Sequence, residues 1–155
     1  MIQVPHTYSE WVTVLELLRA RRQDEEVLEA MKGGSLEWQS GVAERFTRRL
    51  LEVVNDRMDA ASDRFQKEMG RAGASEGAIV QALLALRKEL GFLVQALTLS
   101  VLPEKERQKY VQLVLDQADT IQHSLEESAK GDRSGKLASL VRNHKVNQLQ
   151  GGQEV

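Results

Sequence analysis

The stretch from Gly131 to Lys136 has the side-chain types of a phosphate-binding loop, in which glycines and a lysine surround the phosphates of a nucleotide. That loop requires four residues between its glycines, a hydroxyl side chain after its lysine, and a strand before it. Here three residues separate Gly131 from Gly135, Leu137 follows the lysine, and a helical pattern precedes the stretch. The sequence therefore predicts no nucleotide site at this position.

The histidines and acidic residues lack the spacing of a metal or acid–base centre. Helical bundles hold metals with Glu-x-x-His pairs on inward faces, and the sequence contains no such pair. Asp56, Asp59 and Asp63 do share one face of a predicted helix, but that face is opposite the apolar side, which is typical of solvated acids. We expect no metal, no cofactor and no catalytic residue, and hence a protein that is not an enzyme.

Composition limits the compartment and the class of protein. The chain has no cysteine, which excludes disulfides and thiolate metal ligands and is consistent with a reducing compartment. A basic region followed by an apolar core is missing from the N-terminus, and charged residues interrupt the most apolar segment at Arg87, Lys88 and Glu89. We expect a cytoplasmic protein without membrane association.

The segment from Ser75 to Leu102 is apolar on most of its circumference and is predicted to be the central helix. Its main stripe has the alternating spacing of four and three that places side chains on one helix face. This stripe comprises Ile79, Leu83, Leu86, Leu90, Leu93 and Leu97. The only continuous polar line consists of Gln81, Lys88 and Gln95. Such a helix is expected to be buried on more than one side.

Amphipathic segments flank this central helix. Thr7 and Glu10 have the spacing of a capping box for a first helix ending near Arg22, and a short second helix should follow up to Lys32. Ser35 is a plausible cap for a long helix of about 55 Å that reaches Ala72. Its apolar stripe comprises Trp38, Val42, Phe46, Leu50, Val54, Met58, Ala61, Phe65 and Met69. A last long helix should start at Pro103 and end at Lys130.

These patterns predict an all-α fold. We expect an antiparallel helical bundle of three long helices, with a helical pair at the N-terminus and a short basic segment at the C-terminus. The predicted domains are a bundle over residues 1–130 and a C-terminal segment over 131–155, which holds four basic and two acidic residues. That segment should be mobile unless it docks.

The long helix carries an uneven charge along its outer face. Arginines occupy the first half and acids occupy the second half of this face. They are Arg45, Arg48 and Arg49, followed by Glu52, Asp56, Asp59 and Asp63. One interpretation is that this face meets another helix, such as an antiparallel second copy with arginines opposite acids. The alternative is a solvated charged face.

Apolar side chains that lie off the main stripe of the central helix suggest a second interaction surface. Leu84, Phe92 and Leu99 need cover from the first two helices or from the C-terminal segment. If those elements do not reach them, the patch is an association surface. The alternative is that all three belong to the core.

The C-terminal segment combines cations with apolar residues at helical spacing. The residues suited to docking into a partner are Lys136, Leu137, Leu140, Val141, Arg142 and Lys145. We expect a scaffold or adaptor protein that self-associates or joins a larger protein complex. The alternatives for the segment are a disordered end, or an arm that contacts nucleic-acid phosphates together with Arg45, Arg48 and Arg49.

Overall fold

Helices form all the regular secondary structure in the part of the chain that the structure describes. The structure is a computed structural model, and it describes residues 2–37, 39, 41–69, 75–99 and 101–149. The helices are α1 (Tyr8–Arg19), α2 (Asp24–Lys32), α3 (Val42–Met69), α4 (Glu76–Leu97), α5 (Glu104–Ala129) and α6 (Lys136–Asn143). The prediction of an all-α antiparallel bundle with three long helices and an N-terminal helical pair is confirmed.

Contacts divide the chain into two compact units. Unit 1 comprises Met1–Asp59 and Gln95–Tyr110, and unit 2 comprises Ala60–Val94 and Val111–Val155. Each of the three long helices contributes a segment to both units, and α6 belongs to unit 2. The predicted division into a domain over 1–130 and a segment over 131–155 stays a prediction.

The first helix starts as its sequence predicts. The Thr7 hydroxyl accepts a hydrogen bond from the Glu10 N–H, and the Glu10 carboxylate accepts one from the Thr7 N–H. A further bond from the His6 N–H is the main reason that the pKa of Glu10 lies below its ordinary value. The helix ends at Arg19 instead of near Arg22, because Arg21 has a left-handed backbone with φ of 59°.

The long helix α3 begins later than predicted, at Val42, so the prediction of Ser35 as its cap is wrong. The Ser35 N–H bonds to the Pro5 carbonyl, and the Ser35 carbonyl accepts the Trp11 indole N–H at 2.8 Å. These bonds hold the turn after α2 against the N-terminal segment. Gly41, whose φ is 87°, then precedes the first turn of α3. The predicted contributions of Trp38 and Ala72 lie outside the described residues.

The inner face of α3 follows the predicted stripe. Phe46, Leu50, Val54, Ala61 and Phe65 are buried, and Phe46 meets the ring of Trp11 edge-on at 5.1 Å. On α4, five of the six stripe residues are buried, with Ile79 half-buried, and the predicted polar line of Gln81, Lys88 and Gln95 is exposed. This helix ends at Leu97, before the predicted Leu102.

Candidate functional site

A charged side chain is buried where α1, α2 and α3 meet in unit 1. The Arg57 side chain is only 1% exposed, and its two terminal nitrogens donate to the two carboxylate oxygens of Asp24 at 3.0 and 2.9 Å. One of them also donates to the Leu18 carbonyl in the last turn of α1 at 3.0 Å. The guanidinium therefore adds a second hydrogen bond to a carbonyl of α1 that already accepts the Arg21 N–H, and it joins the start of α2 to the middle of α3.

The charged face in the first half of α3 packs along α1. Arg49 lies 3.8 Å from Glu16, and Arg19 lies 2.7 Å from Asp56 and 4.0 Å from Glu52. Residues later in α1 therefore meet residues later in α3, so that the two helices run in the same direction.

The residues of the predicted charged surface have different surroundings in the structure. Arg49 and Asp56 are paired with α1 of the same chain, and Arg45 lies over the Tyr8 ring with 5.4 Å between the guanidinium carbon and the ring centroid. Asp59 and Asp63 are exposed. Arg49 does face an acid on another helix, but that helix is α1 of the same chain, and contact with a second copy stays a prediction.

Arg48 lies at an open groove between the first half of α3 and the start of α5, which we call the α3–α5 groove. Its volume is about 450 Å³. The uncharged residues that line it are Ala43, Thr47, Leu51, Pro103 and Tyr110. The charged residues that line it are Glu44, Arg48 and Glu106. All of them belong to unit 1.

The chemistry of the α3–α5 groove suits binding by shape and charge. Burial and the nearby Glu106 carboxylate raise the pKa of Tyr110, whose side chain is hydrogen-bonded to Thr47. The phenol is therefore neutral over the physiological pH range. Half-buried Ala43 and Leu51 offer apolar surface, while the carboxylates and the guanidinium can pair with charges on a bound molecule.

The predicted apolar patch on the central helix is only partly exposed. Leu84 and Phe92 on α4 are half-buried. Leu99 lies beyond the end of α4 and is only 3% exposed, which agrees with the alternative that it belongs to the core.

Residues 136–149, which we call the C-terminal arm, dock onto the helices of unit 2. Val141 and Val146 are 1% and 0% exposed. Gln122, which is buried on α5, accepts the Val146 N–H at 3.0 Å and donates to the Val141 carbonyl at 3.4 Å. The Asn147 amide donates to the Asp119 carboxylate at 2.9 Å.

The arm residues that the sequence singled out divide between its two faces. Val141 is buried, and Leu137, Leu140 and Lys145 are half-buried. Lys136 and Arg142 are exposed, with the Lys136 amine 3.8 Å from the Glu76 carboxylate at the start of α4. Docking of this segment into a separate partner is untested and stays a prediction.

A turn held by Asp132 precedes the arm. The Asp132 carboxylate accepts hydrogen bonds from the Leu137 N–H at 2.9 Å and from the Ser134 N–H and hydroxyl. These bonds, led by the one from Leu137, lower the pKa of Asp132. Gly135, with φ of 76°, completes the turn. The carboxylate therefore serves as the cap that Gly135 itself cannot provide for α6.

Two buried polar residues that hold these elements together, Arg57 and Gln122, were not identified from the sequence, although their positions indicated burial. Arg57 falls between Val54 and Ala61 on the buried stripe of α3, and Gln122 follows the buried Ala118 by one helical turn. A polar residue at a core position indicates a buried hydrogen-bond network.

Two features of the described residues concern metal ions and membranes. Within that part of the chain, no three His, Cys, Asp or Glu side chains are grouped so that they could hold a metal ion. None of the helices found there is both long and apolar enough to span a bilayer.

Comparison of the chain with protein-family models, with curated proteins and with solved structures gave no match.

Proposed function

We propose that this protein is a non-enzymatic helical scaffold or adaptor, which self-associates or joins a larger complex by binding a protein segment in the α3–α5 groove. The observation that carries the proposal is the groove itself, an open space of about 450 Å³ with an apolar interior. A helix or loop of a partner can fill such a space with one or two apolar side chains.

The charges at the groove favour a protein as the bound partner. Glu44 and Glu106 contribute two carboxylates, and Arg48 contributes a guanidinium. A protein surface that carries both signs of charge next to an apolar side chain can match all three. A polyanion meets two repulsive groups for each attractive one.

The alternative function is nucleic-acid binding through Arg45, Arg48, Arg49 and the basic C-terminal segment. Within the chain, Arg49 faces Glu16 and Lys136 faces Glu76, which reduces the positive charge available for phosphates. This alternative remains an outcome that the following experiment can detect.

The test is the native size of the tagged full-length chain in cell extract and after purification. We expect a particle larger than the 17.4 kDa chain in extract. Leu51→Glu and Ala43→Glu place a carboxylate in the groove and should shift the chain to the size of a monomer, because a charge cannot be buried against an apolar side chain. Light scattering of the purified chain then distinguishes self-association from binding to another protein.

The matched control is Leu113→Glu, which makes the same substitution at a leucine that is 51% exposed on α5 and does not line the groove. This variant should retain the wild-type size, and circular dichroism confirms that all the variants are folded. A wild-type chain that is monomeric in extract contradicts the proposal. A large particle that collapses on nuclease treatment supports the nucleic-acid alternative instead.

A further inference from the structure

We propose that the C-terminal arm is exchangeable, so that it docks on its own α5 in one state and on the α5 of a second copy in the assembled state. The inference rests on the proposed self-association, but it uses residues of unit 2 instead of the α3–α5 groove.

The first step concerns how α5 recognises the arm. The Gln122 amide bonds to main-chain groups on both sides of the end of α6, the Val141 carbonyl and the Val146 N–H. Gln122 is only 3% exposed while the arm is docked, and departure of the arm removes both of these main-chain partners from its amide. A vacated site on α5 therefore favours rebinding of a segment with this backbone shape.

The second step concerns the specificity of the site. Val141 and Val146 contribute buried methyl groups, and Asn147 pairs with Asp119. At the two ends of the arm, Lys136 lies near Glu76, and the Leu149 carbonyl lies 4.0 Å from the position of a Cβ on Gly91. The site is thus matched to this segment, and a second copy supplies an identical segment.

The third step concerns the connection between α5 and the arm. Residues 130–135 are largely exposed, and hydrogen bonds to the Asp132 carboxylate hold their turn. If residues 130–135 adopt an extended backbone, the arm can move away from its own α5. This change breaks no buried contact within the turn itself. Exchange of an identical element between copies then requires no new interface chemistry. Within one chain the effective concentration of the arm is about millimolar. Docking on a second copy should therefore dominate over docking within the chain only where assembly raises the concentration of copies to a comparable level.

The experiment uses the absence of native cysteine to place one thiol on each of two full-length chains. Thr120→Cys and Gln148→Cys are both at exposed positions, each one residue from the contact between Asp119 and Asn147. The two variants are mixed at high concentration, incubated, and treated with a short bismaleimide. We expect a covalent dimer linked between residues 120 and 148, about tenfold more abundant than with the control pair, because docking raises the local thiol concentration.

The control pair replaces Thr120→Cys with Lys105→Cys, which is exposed on the same helix about 22 Å along its axis. Asp132→Ala in both chains should increase the dimer yield, because it removes the cap that holds the turn. A chain carrying both Thr120→Cys and Gln148→Cys must cross-link internally, which shows that the reagent reaches the docked arm.

The outcomes separate this inference from the proposed function. If the internal cross-link forms and the mixed pair gives no more dimer than the control pair, the exchange inference is wrong. If a self-associated wild-type chain then becomes monomeric with Leu51→Glu, the groove proposal stands without the exchange. If the 120–148 dimer persists in the Leu51→Glu background, the exchange stands without the groove.

Discussion

Arg57 shows how one buried side chain fixes the junction of three helices. Removing a guanidinium from water costs several kcal/mol, and that cost is offset here by two bonds to Asp24 and one to the Leu18 carbonyl. The connection between α1 and α2 also has left-handed backbone at Arg21 and Gln23. The bonds from Arg57 thus stabilise a turn that the local sequence does not favour.

Arg57→Ala should lower the free energy of unfolding by about 3 kcal/mol, because the variant leaves Asp24 without its counter-charge and an unfilled space at a buried position. Arg57→Lys should recover only part of this loss, since an ammonium group cannot make the two parallel bonds of a guanidinium. Urea unfolding followed by circular dichroism measures both changes.

The matched control is Arg49→Ala, which removes an arginine from the exposed pair with Glu16. Its effect should be several times smaller, because exposed pairs are screened by water. Equal losses for Arg57→Ala and Arg49→Ala contradict the claim that burial makes the Arg57 cluster critical.

At the scale of the helix, periodicity predicted the type of each element but not where it ends. The stripes on α3 and α4 follow from side-chain spacing alone, which is why Phe46, Leu50 and Leu90 were correctly assigned to the core. The start of α3 depends instead on bonds that join Ser35 to Pro5 and Trp11, residues about 25 to 30 positions away. Short-range sequence patterns do not indicate hydrogen bonds between residues so far apart in the chain.

The candidate sites were less predictable than the helices. The α3–α5 groove brings residues near 47 together with residues near 110, and the docking site of the C-terminal arm brings Gln122 together with Val146. Sequence spacing identifies residues that share one helix face, but it does not show which faces meet. Arg48 was identified from its charge, whereas Thr47 and Tyr110 became part of a site only through helix packing.

The start of α6 should depend on the ionisation of Asp132. A carboxyl group whose pKa is lowered in the folded state stabilises that state above its unfolded pKa, and this stabilisation is lost as the pH falls through the folded pKa. The amide signal of Leu137, followed by NMR, should therefore titrate with a midpoint below the ordinary Asp value of 3.8.

Asp132→Asn should abolish this titration and leave the Leu137 amide less protected at neutral pH. Asp116→Asn is the control, because Asp116 is an exposed acid that accepts a side-chain bond from Gln112 on α5. A Leu137 titration that survives in the Asp132→Asn variant contradicts the proposed cap.

At the scale of the whole molecule, the continuity of α3, α4 and α5 couples the two units. Each of these helices contributes residues to both, so unfolding of one unit removes helical turns from the segments of the other. We therefore expect a single cooperative unfolding transition for the full chain.

Val146→Ala provides the test, since it creates a cavity at a fully buried position in unit 2. The expected loss is roughly 2 kcal/mol. Tryptophan fluorescence reports unit 1, where Trp11 is fully buried, and its thermal midpoint should fall together with the midpoint from circular dichroism.

Leu113→Ala, at an exposed leucine, should leave both midpoints unchanged. If Val146→Ala lowers the circular dichroism midpoint while the tryptophan midpoint stays at its wild-type value, the two units unfold independently.

The pairing of Arg57 with Asp24 also has an evolutionary consequence. Replacement of Asp24 alone leaves the buried Arg57 guanidinium without its counter-charge, whereas replacement of both by well-packed apolar residues should be tolerated. Across related sequences, positions 24 and 57 should therefore change together, and their covariation would mark the same three-helix junction in chains whose overall sequences have diverged.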